Sequence, residues 1–465
     1  MKFRYTIILV SLGVVFCFTT VYAASAADIS YQGLRDYTYW LLDEPSLDVE
    51  EFTKLIIDQG YKYRFVDWLG DAFYSIFFNN PKGSEVLYND FVMALAVGYE
   101  RMGKPEDLNK PLTRIVDRRL RMWHGTKNSN HYVREYASLA SLAYLLEDDR
   151  FEKLQKKVRL STDKLYLADG YAYEGPEYGL YSMSILSGYV YFTKDDRVEQ
   201  RLLNNINWLA RISSSDRYKP PFDDSLAKML PNKISVFNEV NDYWQPNFSF
   251  SNIPKGNTIN NQETIWRYKD DTTIWLRYRE RNNELQGLHR NYSNGDVVLK
   301  VGDVWWLVAP GYRGWDNKSA EPEAHNVVMS KQFYPWRKLW RLFMGDDIKV
   351  LRNEEGDINK AILQLNGNII RTVESDNKSL VVTDQSNRNF KQFWQINGEL
   401  IGNKQDGDVV SLQWRQGDKI LNQVITGVYT LSIETDIHTG ESKTDLREHS
   451  RLTAEGRDVV VRFVW

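Results

Sequence analysis

Residues 296–310 read DVVLKVGDVWWLVAP, and this stretch indicates how the second half of the chain folds. Val297, Leu299 and Val301 occupy alternate positions, and the apolar pattern resumes at Val304 after the pair Gly302-Asp303. Alternation with a period of two is typical of a strand with one buried face, and a Gly-Asp pair suits a tight turn between two strands. The stretch therefore predicts a β-hairpin.

The same strand pattern recurs towards the C-terminus. Runs rich in β-branched and aromatic residues occur at 379–383, 409–414 and 459–463. Many short strands at this spacing are typical of two packed antiparallel sheets. We therefore expect an antiparallel β-sandwich over residues 236–465.

The first half of the chain has a helical periodicity, with apolar and aromatic residues three and four positions apart. One such stripe comprises Tyr132, Tyr136, Leu139, Ala143 and Leu146. Short breaks at 103–105 and 147–149 suit connections between antiparallel helices. The pattern predicts a succession of helical hairpins over residues 27–212, and the polar, proline-bearing stretch that follows predicts a linker over 213–235.

The N-terminus has the parts of a secretory signal. Two basic residues, Lys2 and Arg4, precede an apolar run over residues 7–21, and small residues follow it. This order predicts a cleaved signal peptide at residues 1–26 and a periplasmic or secreted protein. The residues before Cys17 do not have the small side chains that precede a lipidated cysteine, so we expect no stable membrane anchor.

Composition and missing motifs argue against several classes of protein. The net charge is -3, with acidic and basic residues interspersed, which does not suit a nucleic-acid binder. Cys17 is the only cysteine, so cleavage of the signal would leave no disulfide and no zinc-thiolate site. The sequence contains no phosphate loop, no HExxH and no nucleophile elbow. The 15 tryptophans and 28 tyrosines supply flat side chains that pack against sugar rings, although we expect most of them in the core.

Three polar clusters are candidates for a site. In the first, Asn130 and His131 begin a helical stripe and Arg134 follows one turn later, so the three side chains can point together from one helix end. Asn130 could equally be a helix cap.

The second cluster lies in DGYAYEGPEYGLYS, residues 169–182. A turn passes through Glu174 and a proline into a helix that bears Tyr178 and Tyr181 near its start. The two phenols could be catalytic or could belong to the core.

The third cluster is GLHRNYSNGD at residues 287–296, which contains His289 and leads directly into the predicted hairpin. From His289 through the hairpin to AHN at 324–326, the chain resembles the heparinase II/III-like polysaccharide lyases. That family reads GHGHAD, then a strand and a turn, then LLVDPGTY and later AHNTV. DGYAYEGP at 169–176 resembles the family motif DGSYYEGP, and Asn130-His131 resembles its Asn/His pair at a helix start.

The resemblance implies a fold and a reaction. It implies an α+β multidomain chain, in which an N-terminal (α/α) toroid of helical hairpins precedes the C-terminal antiparallel β-sandwich. It also implies an exported lyase that cleaves an acidic, uronic-acid-containing polysaccharide by β-elimination. In this reaction a base removes the proton at C5 and an acid protonates the departing oxygen at C4, and no cofactor takes part.

The chain departs from the family at a structural zinc. The family's ligands are the second histidine of HxH, the aspartate of VDPG and the histidine of AHN. This chain has Asn291, Ala309 and His325 at those positions. Because one ligand of three survives, we expect no metal there and expect His325 to be a hydrogen-bonded core histidine.

The resemblance also implies roles for individual residues. Asn130, His131 and Arg134 would neutralise the uronate carboxylate, because the weakly acidic C5 proton leaves only when the developing charge meets fixed donors. A tyrosine and His289 would act as base and acid, and the phenol would need nearby positive charge to work near neutral pH. The catalytic candidates are Tyr181, Tyr178, His289 and His131. The substrate-binding candidates are Asn130, Arg134, Glu174, Asn291 and Arg313.

Two other functions stay open at this stage. A chain with the same groove but no activity would be a glycan-binding or scaffolding protein of an exopolysaccharide system. A glycoside hydrolase would need two opposed carboxylates, and Glu174 and Glu177 lie on one short segment that does not readily flank a bond.

Overall fold

The structure is a computed structural model. It describes residues 84–121, 130–222, 228–235, 237–245, 253–260, 262–278, 294–309, 322–330, 348–365, 368–438 and 448–465. The predicted signal peptide and the candidates His289, Asn291 and Arg313 lie outside these residues.

The described part of the first half is helical, as predicted. Its helices are α1 (Ser84–Arg101), α2 (Glu106–Arg121), α3 (Asn130–Leu145), α4 (Phe151–Leu165), α5 (Pro176–Thr193) and α6 (Asp196–Ile212). A further short helix, α7 (Asn238–Trp244), lies within residues 236–465, for which the sequence predicted only a β-sandwich. The predicted breaks separate α1 from α2 and α3 from α4. Gly103, Lys104 and Glu147 adopt φ of 75°, 60° and 53° at these breaks, a left-handed conformation that ends a helix.

Helix α3 packs against both α1 and α4 and is buried on nearly all sides. Only His131, Tyr132 and Tyr144 escape full burial along it. Its buried serines bond within the helix, since Ser138 Oγ donates to the Arg134 main-chain oxygen at 3.0 Å. The helix is therefore a rigid support for the polar residues at its N-terminal end.

The described part of the second half is an antiparallel sheet, as predicted. Its strands are β1 (Thr258–Ile259), β2 (Glu263–Arg267), β3 (Thr273–Arg277), β4 (Val297–Val301), β5 (Val304–Leu307), β6 (Val328–Ser330), β7 (Lys349–Glu354), β8 (Asn359–Leu365), β9 (Ile369–Ser375), β10 (Ser379–Ile396), β11 (Glu399–Asp406), β12 (Val409–Gln416), β13 (Lys419–His438) and β14 (Glu448–Val464). A 3-10 turn, Pro322–Ala324, precedes β6.

The hairpin predicted from residues 296–310 is confirmed. Strands β4 and β5 pair antiparallel, with Val301 opposite Val304, and Gly302 has a φ of 58° in the turn. The three other predicted runs lie in β10, β12 and β14.

The strands near the C-terminus are longer than the short strands that the spacing predicts. β10 has 18 residues, β13 has 20 and β14 has 17. Register shifts interrupt their pairing, for example between Gln385 and Phe390 and between Thr426 and Val428. Such bulges bend a strand without ending it, which is why one long strand replaces two short ones.

All 14 described strands belong to one hydrogen-bonded sheet with the order β1-β2-β3-β4-β5-β10-β14-β13-β12-β11, and β6 and β9 also pair with β10. Apolar side chains of these strands form one core cluster, which includes Trp266, Trp306 and Trp394. The indole rings of Trp275 and Trp305 stack nearly parallel, with centroids 5.3 Å apart and planes inclined by 7°.

The chain divides into two compact units, and the segments of the two units alternate along the sequence. Unit 1 comprises Met1–Gly170, Leu180–Asn204 and Lys233–Phe248, and unit 2 comprises Tyr171–Gly179, Asn205–Asn232 and Ser249–Trp465. The predicted domain boundaries are not tested by this division and stay predictions. None of the helices in the described ranges is both long and apolar enough to cross a membrane.

Candidate functional site

The first predicted cluster lies in unit 1, on α3 and α5. Asn130, His131 and Arg134 occupy the first turns of α3, and their spacing makes them neighbours on the helix surface. Tyr181 lies on the second turn of α5. We call these four residues the α3–α5 cluster.

Arg134 and Tyr181 are in direct contact. The Arg134 guanidinium carbon lies 3.4 Å from the centroid of the Tyr181 ring, and Arg134 Nη1 donates a hydrogen bond to the Tyr181 main-chain oxygen. Ser184 Oγ donates to the same oxygen at 2.9 Å. Arg134 is 1% exposed, while Tyr181 is partly exposed, with its hydroxyl oxygen shielded from solvent. The cluster therefore holds a buried positive charge against a tyrosine ring.

Neighbouring charged and phenolic groups on α3 have partners of their own. The Arg119 Nε atom lies 2.5 Å from Glu135 Oε1 in a buried ion pair. Lys157 Nζ donates to the Tyr136 hydroxyl at 2.9 Å. Burial, followed by the nearby Tyr132, raises the pKa of Tyr136 above its usual 10.0. Tyr136 is therefore unsuited to act as a base near neutral pH.

The second predicted cluster falls mainly on residues 171–179, which belong to unit 2. Gly170 and Gly175 adopt φ of 90° and 93°, and the chain then enters α5 at Pro176, as the sequence predicts. Glu174 is buried at 3% exposure, whereas Tyr178 is partly exposed. Of the two candidate tyrosines, Tyr181 has its ring against Arg134.

Two buried cations that the sequence analysis did not select also contact residues 171–179. Arg277 Nη2 donates to the Tyr171 hydroxyl at 2.8 Å. Lys219 forms an ion pair with Glu177, and burial lowers the Lys219 pKa below 10.5 while Glu177 acts in the opposite direction. The sequence feature that could have drawn attention to Arg277 is a charged residue at the end of a mostly apolar strand, TIWLR at residues 273–277.

The two described residues at the family's zinc position, Ala309 and His325, do not fit a metal site. His325 and Asp296 are both fully buried, and His325 Nδ1 lies 3.0 Å from Asp296 Oδ2 in a hydrogen bond. Asp296 Oδ1 accepts a second hydrogen bond from the Asn326 main-chain nitrogen at 3.0 Å. Ala309 is buried and offers no ligand atom. Among the residues that the structure describes, no three His, Cys, Asp or Glu side chains group as metal ligands would.

His289, Asn291 and Arg313 lie outside the described residues, so their roles stay predictions. What the structure brings together is Arg134 with Tyr181 in unit 1, and Tyr171 with Arg277 and Glu177 with Lys219 in unit 2.

No protein-family model matches this chain, and no curated protein matches its sequence. Several solved structures are similar in fold, among them two lyases. A heparinase III superimposes with a TM-score of 0.60 at 13% identity, over 95% of this chain and 84% of that one. Heparan sulfate lyase HepC from Pedobacter heparinus superimposes with a TM-score of 0.54 at 15% identity, over 91% of this chain and 78% of that one. The chain therefore has the fold of the heparinase-like polysaccharide lyases.

Proposed function

We propose that this chain is an exported polysaccharide lyase that cleaves an acidic, uronic-acid-containing glycan by β-elimination. The observation that carries the proposal is the buried Arg134 guanidinium, 3.4 Å from the centroid of the Tyr181 ring. Asn130 and His131 lie on the same end of α3, so a phenol, a cation and two polar donors belong to one cluster. The lyase fold and the DGYAYEGP motif support this choice of reaction.

In the proposed reaction Tyr181, as the phenolate, removes the proton from C5 of the uronate. The electron pair of the C5–H bond forms the C4–C5 double bond, and the C4–O bond breaks. The departing oxygen takes a proton from an acid, a role that we assign to His289. His131, which is partly exposed, donates a hydrogen bond to the carboxylate and so stabilises the charge that develops beside C5. Asn130 is 0% exposed, so its predicted direct contact with the carboxylate is not part of this scheme.

Arg134 would act on Tyr181 in this scheme. Its side chain is almost wholly buried. A buried charge in contact with the Tyr181 ring is better placed to stabilise the phenolate than to bind substrate directly. In a site with little water, a cation against the ring stabilises the negative charge of a phenolate.

We also propose the finer features that the sequence predicts. The helices would close into an (α/α) toroid, the strands would pack as a β-sandwich, and residues 1–26 would direct export. The likeness to the two lyase structures and the signal-like N-terminus support these features.

The test is an elimination assay with purified protein on a panel of uronate polysaccharides: heparan sulfate, alginate and bacterial capsular polymers. Each elimination creates an unsaturated uronate, which absorbs in the ultraviolet. Tyr181→Phe keeps the ring over Arg134 and removes only the hydroxyl, so we expect kcat to fall about 100-fold or more while KM changes little.

The matched control is Tyr189→Phe on the same helix. The Tyr189 hydroxyl is buried and donates to Asp195 Oδ2 at 2.6 Å, so its loss should lower the melting temperature and leave kcat unchanged. Tyr178→Phe should also keep its activity. Full elimination by Tyr181→Phe would refute the assignment. Binding of a polymer without any new absorbance would identify a glycan-binding protein instead.

A further inference from the structure

Residues 171–179 carry Glu174 and Tyr178, and unit 2 fixes the start of this segment through one buried arginine. We propose that Arg277 is a positioning residue, which holds the Tyr171 hydroxyl and thereby sets the orientation of residues 171–179 for catalysis. This inference rests on the proposed lyase function.

The side chain of Arg277 reaches Tyr171 from the end of β3. Both residues are buried, at 2% and 0% exposure, and Arg277 Nη2 lies 2.8 Å from the Tyr171 hydroxyl oxygen. The guanidinium carbon lies 5.1 Å from the centroid of the Phe222 ring. A hydrogen bond from a buried charged donor is stronger than one between neutral groups, so this contact can fix where Tyr171 lies.

The main chain of Arg277 forms hydrogen bonds with the last two residues of the third sequence cluster, residues 287–296. Its nitrogen donates to the Asp296 main-chain oxygen at 2.9 Å, and its oxygen accepts from the Gly295 nitrogen at 2.7 Å. Gly295 and Asp296 end the stretch 287–296, in which His289 occurs. One residue therefore bonds to the end of this stretch through its main chain and to the start of residues 171–179 through its side chain.

The end of that stretch is itself held firmly. Arg371 Nη1 donates to the Gly295 oxygen at 2.6 Å, and the same guanidinium binds Asp384 through two further hydrogen bonds. Asp296 holds His325 and the Asn326 main chain. Because the main chain of Arg277 is bonded to these well-held residues, its side chain can hold Tyr171 in a fixed position relative to the sheet.

The Tyr171 ring has a separate support, which makes the hydroxyl contact testable by itself. The ring packs edge-on to Trp208 at a centroid distance of 5.1 Å, and Trp208 Nε1 donates to Glu263 Oε1 at 2.8 Å. Glu263 lies directly opposite Arg277 in the β2–β3 register. Tyr171→Phe therefore keeps the ring packing and removes the hydrogen bond from Arg277.

Arg267 is a matched control at the other end of the same hairpin. It is also a buried arginine, but its Nε and Nη2 donate to the Ser213 main-chain oxygen at 2.9 and 2.7 Å. Burial lowers the Arg267 pKa to about 10. Its substitution should weaken the sheet without a direct effect on residues 171–179.

The experiment compares Tyr171→Phe, Arg277→Lys, the double variant and Arg267→Lys in the full chain. If Arg277 acts through the Tyr171 hydroxyl, each single variant should lower kcat about tenfold with little change in KM, and the double variant should lower it no further. Arg267→Lys should lower the melting temperature and keep kcat. Losses that multiply in the double variant, or an equal loss of kcat in Arg267→Lys, would overturn the proposal.

Hydrogen–deuterium exchange supplies a readout that needs no activity. Peptides that cover residues 171–179 should exchange faster in Arg277→Lys and Tyr171→Phe than in Arg267→Lys. Equal exchange in all variants would overturn the positioning role. If the unmodified chain eliminates none of the polymers, the lyase proposal fails by itself, and the exchange comparison still decides the role of Arg277.

Discussion

Arg134 and Arg277 are both buried guanidinium groups that bind a tyrosine, but they contact different atoms of it. Arg134 meets the ring face and the main-chain oxygen of Tyr181, whereas Arg277 meets the hydroxyl of Tyr171. A Tyr→Phe substitution therefore keeps both of these contacts at position 181 and removes the contact at position 171. The same chemical change separates a proposed catalytic hydroxyl from a proposed positioning one.

Asp148 gives a pH-dependent prediction at the level of one residue. It lies between α3 and α4, and Arg150 donates to Asp148 Oδ1 through its main-chain nitrogen at 2.9 Å and through Nε at 2.7 Å. These hydrogen bonds, chiefly the one from the side chain, hold the Asp148 pKa below 3.8. The unfolded chain then binds more protons than the folded chain just below pH 3.8, so the stabilisation is present above that pH and is lost as pH falls through the lowered pKa.

We therefore expect Asp148→Asn to lower the free energy of unfolding by about 1 kcal/mol at pH 7. The difference from the unmodified chain should shrink as the pH falls below the usual aspartate range. Denaturant unfolding at several pH values measures it, with the exposed Asp408→Asn as control. A difference that stays constant down to acid pH would contradict the account.

At the scale of secondary structure, the sequence predicted what depends on local periodicity. The end of α6 at Ile212, the start of α5 at Pro176 and the β4–β5 hairpin all follow from side-chain spacing and turn residues within a few positions. The α3–α5 cluster was predicted in part, because the helix period alone makes Asn130, His131 and Arg134 neighbours.

What the sequence did not predict depends on partners far apart in the chain. Tyr171 and Arg277 are 106 positions apart, and Glu177 and Lys219 are 42 apart, so no local pattern joins them. The full lengths of β10, β13 and β14 were not predicted because bulges interrupt the alternation that marks a strand.

One such bulge gives a prediction for β13. Gly427 has a φ of 77°, and a Cβ there would lie 1.9 Å from the Asp458 main-chain oxygen. Gly427→Ala should lower the free energy of unfolding by about 2 kcal/mol or more, since both strain and a backbone clash oppose it. Gly407→Ala is the control: its φ is 57° with no atom within 4 Å, so strain alone should cost about 1 kcal/mol. Equal losses in the two variants, measured by denaturant unfolding, would contradict the clash.

The hydrogen bonds of Asp296, the residue before β4, hold His325 and Asn326 between the 3-10 turn and β6, and they predict how the fold responds to chelation. Asp296 holds His325 and Asn326 without a metal ligand set, so a strong chelator should leave the melting temperature unchanged. His325→Ala should lower the free energy of unfolding by about 2 kcal/mol, because it leaves a buried carboxylate short of one donor. A melting temperature that falls on chelation and recovers with zinc would show that the fold does need a metal.

At the scale of the whole molecule, the two units are not successive pieces of chain. Helices α5 and α6 each contribute residues to both units, and residues 233–248, which include α7, belong to unit 1 although they follow the first segments of unit 2. Within unit 1, Trp244 Nε1 of α7 donates to the Ser187 oxygen at 3.2 Å. Within unit 2, Trp275 Nε1 donates to the Ile212 oxygen at 2.6 Å at the end of α6.

Because the segments of the two units alternate along the chain, we expect the units to unfold cooperatively. Loss of either unit would remove support from one end of α5 and α6, so neither unit should persist alone. We expect denaturant transitions followed by far-ultraviolet and near-ultraviolet circular dichroism to coincide. Two separated transitions would mean that the units unfold independently.

The nearly parallel indoles of Trp275 and Trp305 give this fold a spectroscopic signature. Transition dipoles of two stacked chromophores at 5.3 Å couple strongly, and in a chiral setting the coupling splits their absorption into circular dichroism bands of opposite sign. Replacing either indole by phenylalanine would abolish the couplet. Its amplitude would then report, in an intact chain and without any label, whether β3 and β5 keep their places on either side of β4.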